Sequence, residues 1–330
     1  MHLFRQQANI DTYLTRAANT YAFLERQTDL SPRNGELNKM LHGFVTDTMR
    51  PRSKEETIAI LNAPTLREIA PGLRRLLGRA EYEMEQYCAN AMIGNEPNAQ
   101  ERYASYPHFI YRKNYEALVA SELHAMRWWI KQPPLKKDRE SVAFVGAGPL
   151  PISAIMFHKR TGLPVTCVDS DERAFTLGRD LIFHLSATNP QMKDLHKHVH
   201  YVHAAGEDHD YVTHPIVFIA SLVAQKAPVV MQIVRSSHTV STTVIRTAEG
   251  LSTLLYQPEG CAPGQEEYNV YLTGKTRPTA RAINSSLVYR FPPGKCWMRN
   301  KIEWQGQAED MHVLRPQKFR MRTRPYDQGI

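Results

Sequence analysis

The 330-residue sequence contains no apolar run near the roughly 18 residues that a membrane span needs. Its first residues, MHLFRQQANIDTYL, lack the apolar core of a secretory signal. A cytoplasmic protein with no membrane partner is the expectation. Cysteine is scarce. Cys88, Cys167, Cys261 and Cys296 stand far apart with no Cys-x-x-Cys pair, which argues against a zinc framework or a set of disulfides. Cys167 lies in an apolar strand pattern and reads as core. Acidic residues are outnumbered, 33 against 41 basic, a net charge of +8. Much of the excess falls in Arg315, Lys318, Arg320, Arg322 and Arg324. No aromatic platform accompanies that basic stretch, so a solvated or loosely docked terminus is the simpler reading and nucleic acid is not an expected partner. Internal repeats are absent too.

Glycine and proline are sparse within the segments up to about residue 132, and no β-alternation shows there. Tyr13, Leu14, Ala17, Tyr21 and Leu24 have helical spacing. Ser31-Pro32 reads as the opening of a second helix, with Leu37, Met40, Leu41, Phe44 and Val45 as its stripe. Ser53 with Glu56 reads as a capping box. Leu66 to Met92 predicts one or two helices broken at Pro71, and Tyr111 to Ile130 another. Gln132 to Lys137, QPPLKK, reads as a linker. Beyond it the pattern becomes strand, helix, strand. Strands are expected at Val142–Val145, Val165–Val168, Val199–His203, Ile216–Ala220, Val229–Val234, Gly250–Tyr256 and Tyr268–Tyr271. Such alternation implies an α/β fold with a mostly parallel sheet and helices on both faces.

The segment SVAFVGAGPLPISAIMFHKRTGLPVTCVD, Ser141 to Asp169, carries the most information. A buried strand runs into Gly146-Ala147-Gly148, then a helix, a second buried strand and an acid. That is half of a nucleotide-binding unit. Pro149-Leu150-Pro151 follows the turn directly. A loop that cradles a pyrophosphate needs free backbone N–H groups, and proline has none. A ribose-bearing cofactor without phosphate, such as S-adenosylmethionine (SAM), fits better. Gly146 and Gly148 allow close approach of the ligand, with Pro149 and Leu150 beside them. Asp169 is placed to accept the ribose hydroxyls, with Asp171 a nearby substitute; Glu207, Asp208 and Asp210 stand where adenine-binding acids lie, and Ser221 would face the sulfonium. The plainer alternative is a tight turn with a helix-capping acid.

Three other groups stand out. Glu81 and Glu85 are four apart and share a helix face. They are candidates for holding an amine or taking its proton, although Arg79 and Glu83 beside them favour a solvated surface on spacing alone. Tyr106 to Tyr115, YPHFIYRKNY, offers Tyr111, Asn114 and Tyr115 as pocket groups or as the rim of a core helix. His196, His198 and His200 alternate as on one strand face, but Lys193 and Lys197 among them favour a surface cluster, and no metal is expected.

These residues resemble the nicotianamine synthase family over roughly residues 30 to 260. The hexapeptide GAGPLP after Val142-Ala143-Phe144-Val145 is the most specific match. Weaker matches follow the same order: Leu30-Ser31-Pro32 with Asn38, Ala80-Glu81 with Glu85, Tyr111 with Asn114-Tyr115, Val217 to Ala220 with Leu222-Val223, and Arg246-Thr247-Ala248 with Gly250 and Leu255-Tyr256. The resemblance implies a methyltransferase-like Rossmann domain with an N-terminal α-helical bundle domain. Residues 1–135 would be the helical domain, lid and source of catalytic residues; 136–290 the SAM-binding domain; 291–330 a C-terminal extension. It implies SAM as a substrate attacked by an amine at the γ-carbon of its methionine part, so that an aminocarboxypropyl group moves and methylthioadenosine leaves. Glu85 would hold and deprotonate the amine, Tyr111 would orient it, and the cavity between the domains would be the reaction chamber.

Departures from the family pattern are Glu249 in place of a histidine and the insertion Gly206-Glu207-Asp208-His209. They bear on the acceptor more than on the SAM site. The acceptor could be histidine, as in opine metallophores, or a second SAM-derived unit. Attack by SAM's own amine would instead give azetidine-2-carboxylate. An ordinary methyltransferase and a non-enzymatic binding module are weaker alternatives. Small molecules are the expected partners, with a homodimer left open.

Overall fold

The computed structural model describes residues 2–126, 140–236, 242–258, 271–279 and 281–290. All of them fall within one unit, Met1–Gly294. The linker at 132–137, Cys261, Cys296 and the basic segment past 290 lie outside the described residues.

Six helices come first: α1 His2–Glu25, α2 Gly35–Thr48, α3 Lys54–Asn62, α4 Pro64–Ile93, the single turn α5 Glu101–Ala104, and α6 Arg112–Ala125. Local chemistry explains their ends. Helix α2 begins later than Ser31-Pro32, because Asn34 is its cap and accepts from the Leu37 N–H at 3.1 Å. Ser53 caps α3 by accepting from the Glu56 N–H at 3.1 Å. The Glu56 carboxylate pairs with Arg52 at 3.3 Å. Helix α4 starts with Pro64 in its first turn, where the missing N–H costs nothing, and stops at Gly94 with φ 98°. Pro71 does not break it; α4 is one helix of 30 residues.

The α/β part alternates β1 Val142–Val145, α7 Ile152–Thr161, β2 Val165–Asp169, α8 Glu172–Thr188, β3 Val199–His203, β4 Ile216–Ile219, α9 Lys226–Ser236 and β5 Thr242–Thr247. The strands β6 Tyr271–Lys275 and β7 Ser285–Arg290 complete the sheet. Its order is β3-β2-β1-β4-β5-β7-β6. β1 to β5 pair in parallel, while β7 is antiparallel to both β5 and β6. β7 alone therefore runs against the others, and the result is a methyltransferase-like Rossmann sheet.

Two expected strands are corrected. Val229–Val234 belongs to α9, whose Pro228 sits in its first turn. Gly250–Tyr256 begins with a 3₁₀ turn, Gly250–Leu254, with Gly250 at φ 58° and Glu249 at its cap. Of the strand expected at Tyr268–Tyr271, residues 268–270 lie outside the described residues, and Tyr271 is the first described residue of β6. Strands β5 and β7 were not expected, because TTVIRT and SSLVYR look half polar although β5 buries all six of its residues.

Packing joins helices and sheet. Tyr13, Ala17, Leu24, Leu37, Phe44, Ile60 and Leu73 form a core that continues into Leu251, Leu254, Leu255 and Tyr256 after β5. A fully buried side chain such as Phe44, stacked on Tyr13, contributes about 1.5–3 kcal/mol. The later turns of α4 share a second core with α6, α7 and one face of β1, β2 and β4, where Phe144 stacks on Phe218 with centroids 4.4 Å apart. Helix α4 thus lies across the carboxyl ends of the strands, where α/β sheets bind ligands.

Candidate active site

A cavity of about 1530 Å³ opens at that edge. Helices α2, α4 and α6 and the loops after β1, β2, β4 and β5 all contribute to it. The loop after β1 is held in a single shape. Gly146 and Gly148 have φ of 71° and 69°, which side-chain-bearing residues rarely adopt. A Cβ on Gly146 would stand 2.5 Å from Val223 Cγ2, and one on Gly148 would stand 2.6 Å from Glu85 Oε2. The second contact brings a helix carboxylate directly over the loop. The Gly148 peptide is also pinned at both ends. Its N–H donates to Asp169 Oδ2 at 2.8 Å, and its carbonyl accepts from the Tyr201 hydroxyl at 2.6 Å.

Glu81 and Glu85 face this chamber rather than bulk solvent. The Tyr115 hydroxyl donates to Glu85 Oε1 at 3.3 Å, and Tyr256 is hydrogen-bonded to Glu81. Burial pushes the Glu81 carboxyl up to about 7. Burial and the neighbouring Glu81 push Glu85 well above the ordinary carboxylate range. Two enclosed carboxylates a helical turn apart cannot both ionise cheaply, so their protons are coupled. A pair of this kind suits taking a proton from an ammonium ion near neutral pH.

Other expected residues fall in varied places. Tyr111 lines the chamber at the start of α6, and burial raises its hydroxyl to about 12. The tyrosine bonded to Glu85 is Tyr115, not Tyr111. Asn114 lines the chamber and donates to the Arg281 carbonyl at 2.8 Å, which ties α6 to the chain before β7. Leu150 lines it as well. Pro149 is buried but does not line it. Asp169 lines it, with Oδ1 accepting from the Asp171 N–H at 3.0 Å; burial raises its carboxyl despite two backbone donors. Ser221 lines it and accepts from Asn284 Nδ2 at 2.5 Å. Asp208 is exposed and off the wall, where Gly206 and Glu207 stand instead.

The histidines disperse. His196 stacks on Phe183 and His198 on His158, and His203 stacks on Phe175. Among the described residues no group of three or more His, Cys, Asp or Glu is arranged to hold a metal ion. Glu249 pairs with Lys275 at 2.7 Å and lies off the chamber wall.

Several wall residues had no role assigned from the sequence. Arg246 lines the chamber and forks onto Glu122 of α6. Tyr201 reaches the loop from β3, and Tyr82 lines the wall near Asp171. Arg246 and Tyr256 carried a signal in the family resemblance. Glu122, inside ALVASELHA, carried none.

Comparison with known proteins identifies the family. The model of the family described as "Nicotianamine synthase protein" matches residues 5–293. The chain belongs to the nicotianamine synthase family. It is 24% identical over 301 residues to nicotianamine synthase 3 of Oryza sativa subsp. indica, covering 86% of this chain and 80% of that one. With the nicotianamine synthase of Solanum lycopersicum the figures are 24% over 299 residues, 86% and 85%. Among solved structures the fold matches MtNAS, as a glutamate-to-glutamine variant in complex with S-adenosylmethionine, with a TM-score of 0.67 at 18% identity, covering 85% of this chain and 98% of that one. MtNAS in complex with MTA and tNA matches at a TM-score of 0.67, covering 86% and 98%. No helix among the described residues is long and apolar enough to cross a membrane.

Proposed function

We propose that the protein transfers the 3-amino-3-carboxypropyl group of SAM to an amine acceptor and releases methylthioadenosine. The new C–N bond forms at the γ-carbon of the methionine part, the C–S bond breaks with its electron pair going to sulfur, and the ammonium proton passes to the Glu81–Glu85 pair. Asp169 and the Gly146–Gly148 loop hold the nucleoside end. Tyr115 fixes the Glu85 carboxylate, and Tyr111 borders the acceptor's place. With little covalent work to do, the protein acts by positioning two reactants.

The observation that carries this reading is Glu85 Oε2, which stands over Gly148, where the cofactor loop and the helical layer meet. The cavity volume of about 1530 Å³ favours transfer over self-cyclisation. Single-ligand sites run to roughly 300–1,000 Å³, so space remains for a second reactant. The acceptor proposed is an amino acid, histidine or a SAM-derived amine, giving a metallophore-type product. Mass spectrometry after incubation with SAM alone and with SAM plus L-histidine tests it. Methylthioadenosine with an aminocarboxypropyl-amine product, from SAM plus histidine or from SAM alone, supports transfer. Methylthioadenosine with azetidine-2-carboxylate from SAM alone would sink it, and adenosylhomocysteine would point to methyl transfer instead.

A further inference from the structure

One charged group on the chamber wall has bonding capacity left over. Arg246 on β5 is 8% exposed and Glu122 on α6 is 1% exposed. Arg246 Nε donates to Glu122 Oε1 at 2.9 Å and Nη2 donates to Oε2 at 3.1 Å. The Ser286 hydroxyl on β7 donates to the same Oε1 at 2.8 Å. Two bonds fix the plane of the guanidinium. They leave Nη1, with two N–H groups, without a partner among the described residues. Arg246 lines the chamber, so this donor is free to meet a ligand group there. A pair that served only to brace α6 against β5 and β7 would have no use for a chamber-side donor.

The surroundings indicate what the donor takes. Glu81, Glu85, Tyr115 and Tyr256 all lie within electrostatic reach of Arg246. One wall therefore seeks a cation and the adjoining one seeks an anion. A zwitterionic α-amino acid, with its ammonium and carboxylate on one carbon, is complementary to that pattern. A simple amine is not.

We propose that Arg246 anchors the α-carboxylate of an amino-acid substrate through Nη1, with Glu122 as the positioning residue that orients the guanidinium, so that the chamber selects amino acids over plain amines. The carboxylate is that of SAM or that of the acceptor; only the acceptor case rests on the transfer reading above.

The test pairs ligands that differ only in the carboxylate. SAM and decarboxylated SAM are compared by calorimetry, and L-histidine and histamine by methylthioadenosine release. Wild type is expected to favour the carboxylate form at least about tenfold in one pair, the scale of a charge-assisted hydrogen bond. The double variant Glu122→Gln/Arg246→Gln, which removes both buried charges together, is expected to lose that preference. Arg246→Lys keeps the buried charge and so the fold, but offers no planar donor pair, and is expected to narrow it. Loss of the preference in the SAM pair assigns the anchor to the donor, and loss in the histidine pair assigns it to the acceptor. No preference in wild type, or one that persists in every folded variant, overturns the proposal. Absence of turnover with any amine would overturn transfer alone, because the SAM pair still reads the anchor by binding. Failure of both SAM forms to bind would overturn both.

Discussion

Replacing Glu81 with glutamine changes one atom type, keeps the side chain's shape and leaves an oxygen to accept from Tyr256. The wild-type carboxyl is pushed by burial from 4.5 up to about 7. At 1.36 kcal/mol per pH unit that gap has a ceiling of about 3 kcal/mol, and water in the chamber reduces it to about 1–3 kcal/mol. The sign follows from the direction. The folded state holds this proton more tightly than the unfolded state. The stability it contributes is therefore complete below about pH 4.5 and is lost as pH rises through 7. Glutamine has no proton to lose. The variant should match wild type near pH 4.5 and exceed it by about 1–3 kcal/mol at pH 8.5, a rise of about 2–5 °C in melting temperature for a chain of this size. Urea and thermal unfolding at both pH values measure it. A variant less stable than wild type at pH 8.5, or a difference that does not vary with pH, would refute the account. The same substitution removes the like charge that raises Glu85, so the acidic limb of kcat/KM should move to lower pH.

Glu85→Gln should cut turnover about 10²- to 10⁴-fold, the usual range for losing a general base, with SAM affinity changed only a few-fold; chromatography of methylthioadenosine and calorimetry separate the two, and a matching loss of affinity would contradict the assignment. Gly148→Ala puts a methyl group 2.6 Å from Glu85 Oε2 at a φ of 69°, and a cost of about 1–3 kcal/mol with impaired turnover is expected; unchanged unfolding and rate together would count against the close approach. Tyr201→Phe leaves the Gly148 carbonyl without its donor and should destabilise by about 1–2 kcal/mol, read by denaturant midpoint, with no shift arguing that the bond contributes nothing. Asp169→Ala removes the acceptor of two backbone N–H groups as well as the carboxylate proposed to hold the ribose, so SAM affinity should fall at least about tenfold; unchanged calorimetry would exclude that role.

The central strands were readable because a parallel strand covered on both faces is a continuous apolar run. VAFV and VTCVD are of that kind, and the structure begins both strands where the pattern does. The same rule misread VVMQIV, since a short apolar run in a buried helix looks alike. It missed TTVIRT because that strand buries threonines and an arginine whose partner, Glu122, lies 124 residues away. Satisfaction of a buried charge by a distant residue leaves no local pattern. The paired glutamates show the same limit. Their spacing pointed to a shared face, but whether that face met water or a chamber depended on what α4 packs against. Of the three acids after the third strand, Glu207, Asp208 and Asp210, nothing in the local pattern tells which meets the chamber; Glu207 does.

Helix α4 spans 30 residues, about 45 Å of unbroken rod. Its early turns pack in the same core as α1 and its later turns in the core shared with the sheet. Glu81 and Glu85 are therefore carried on a member clamped at both ends, and their distance from the Gly148 loop cannot be adjusted one residue at a time. Tilting the rod would disturb two cores at once. The walls given by α2 and by residues 281–284 face the same chamber from shorter, separately connected segments. A change in the shape of the chamber is therefore more easily made on those walls than along α4.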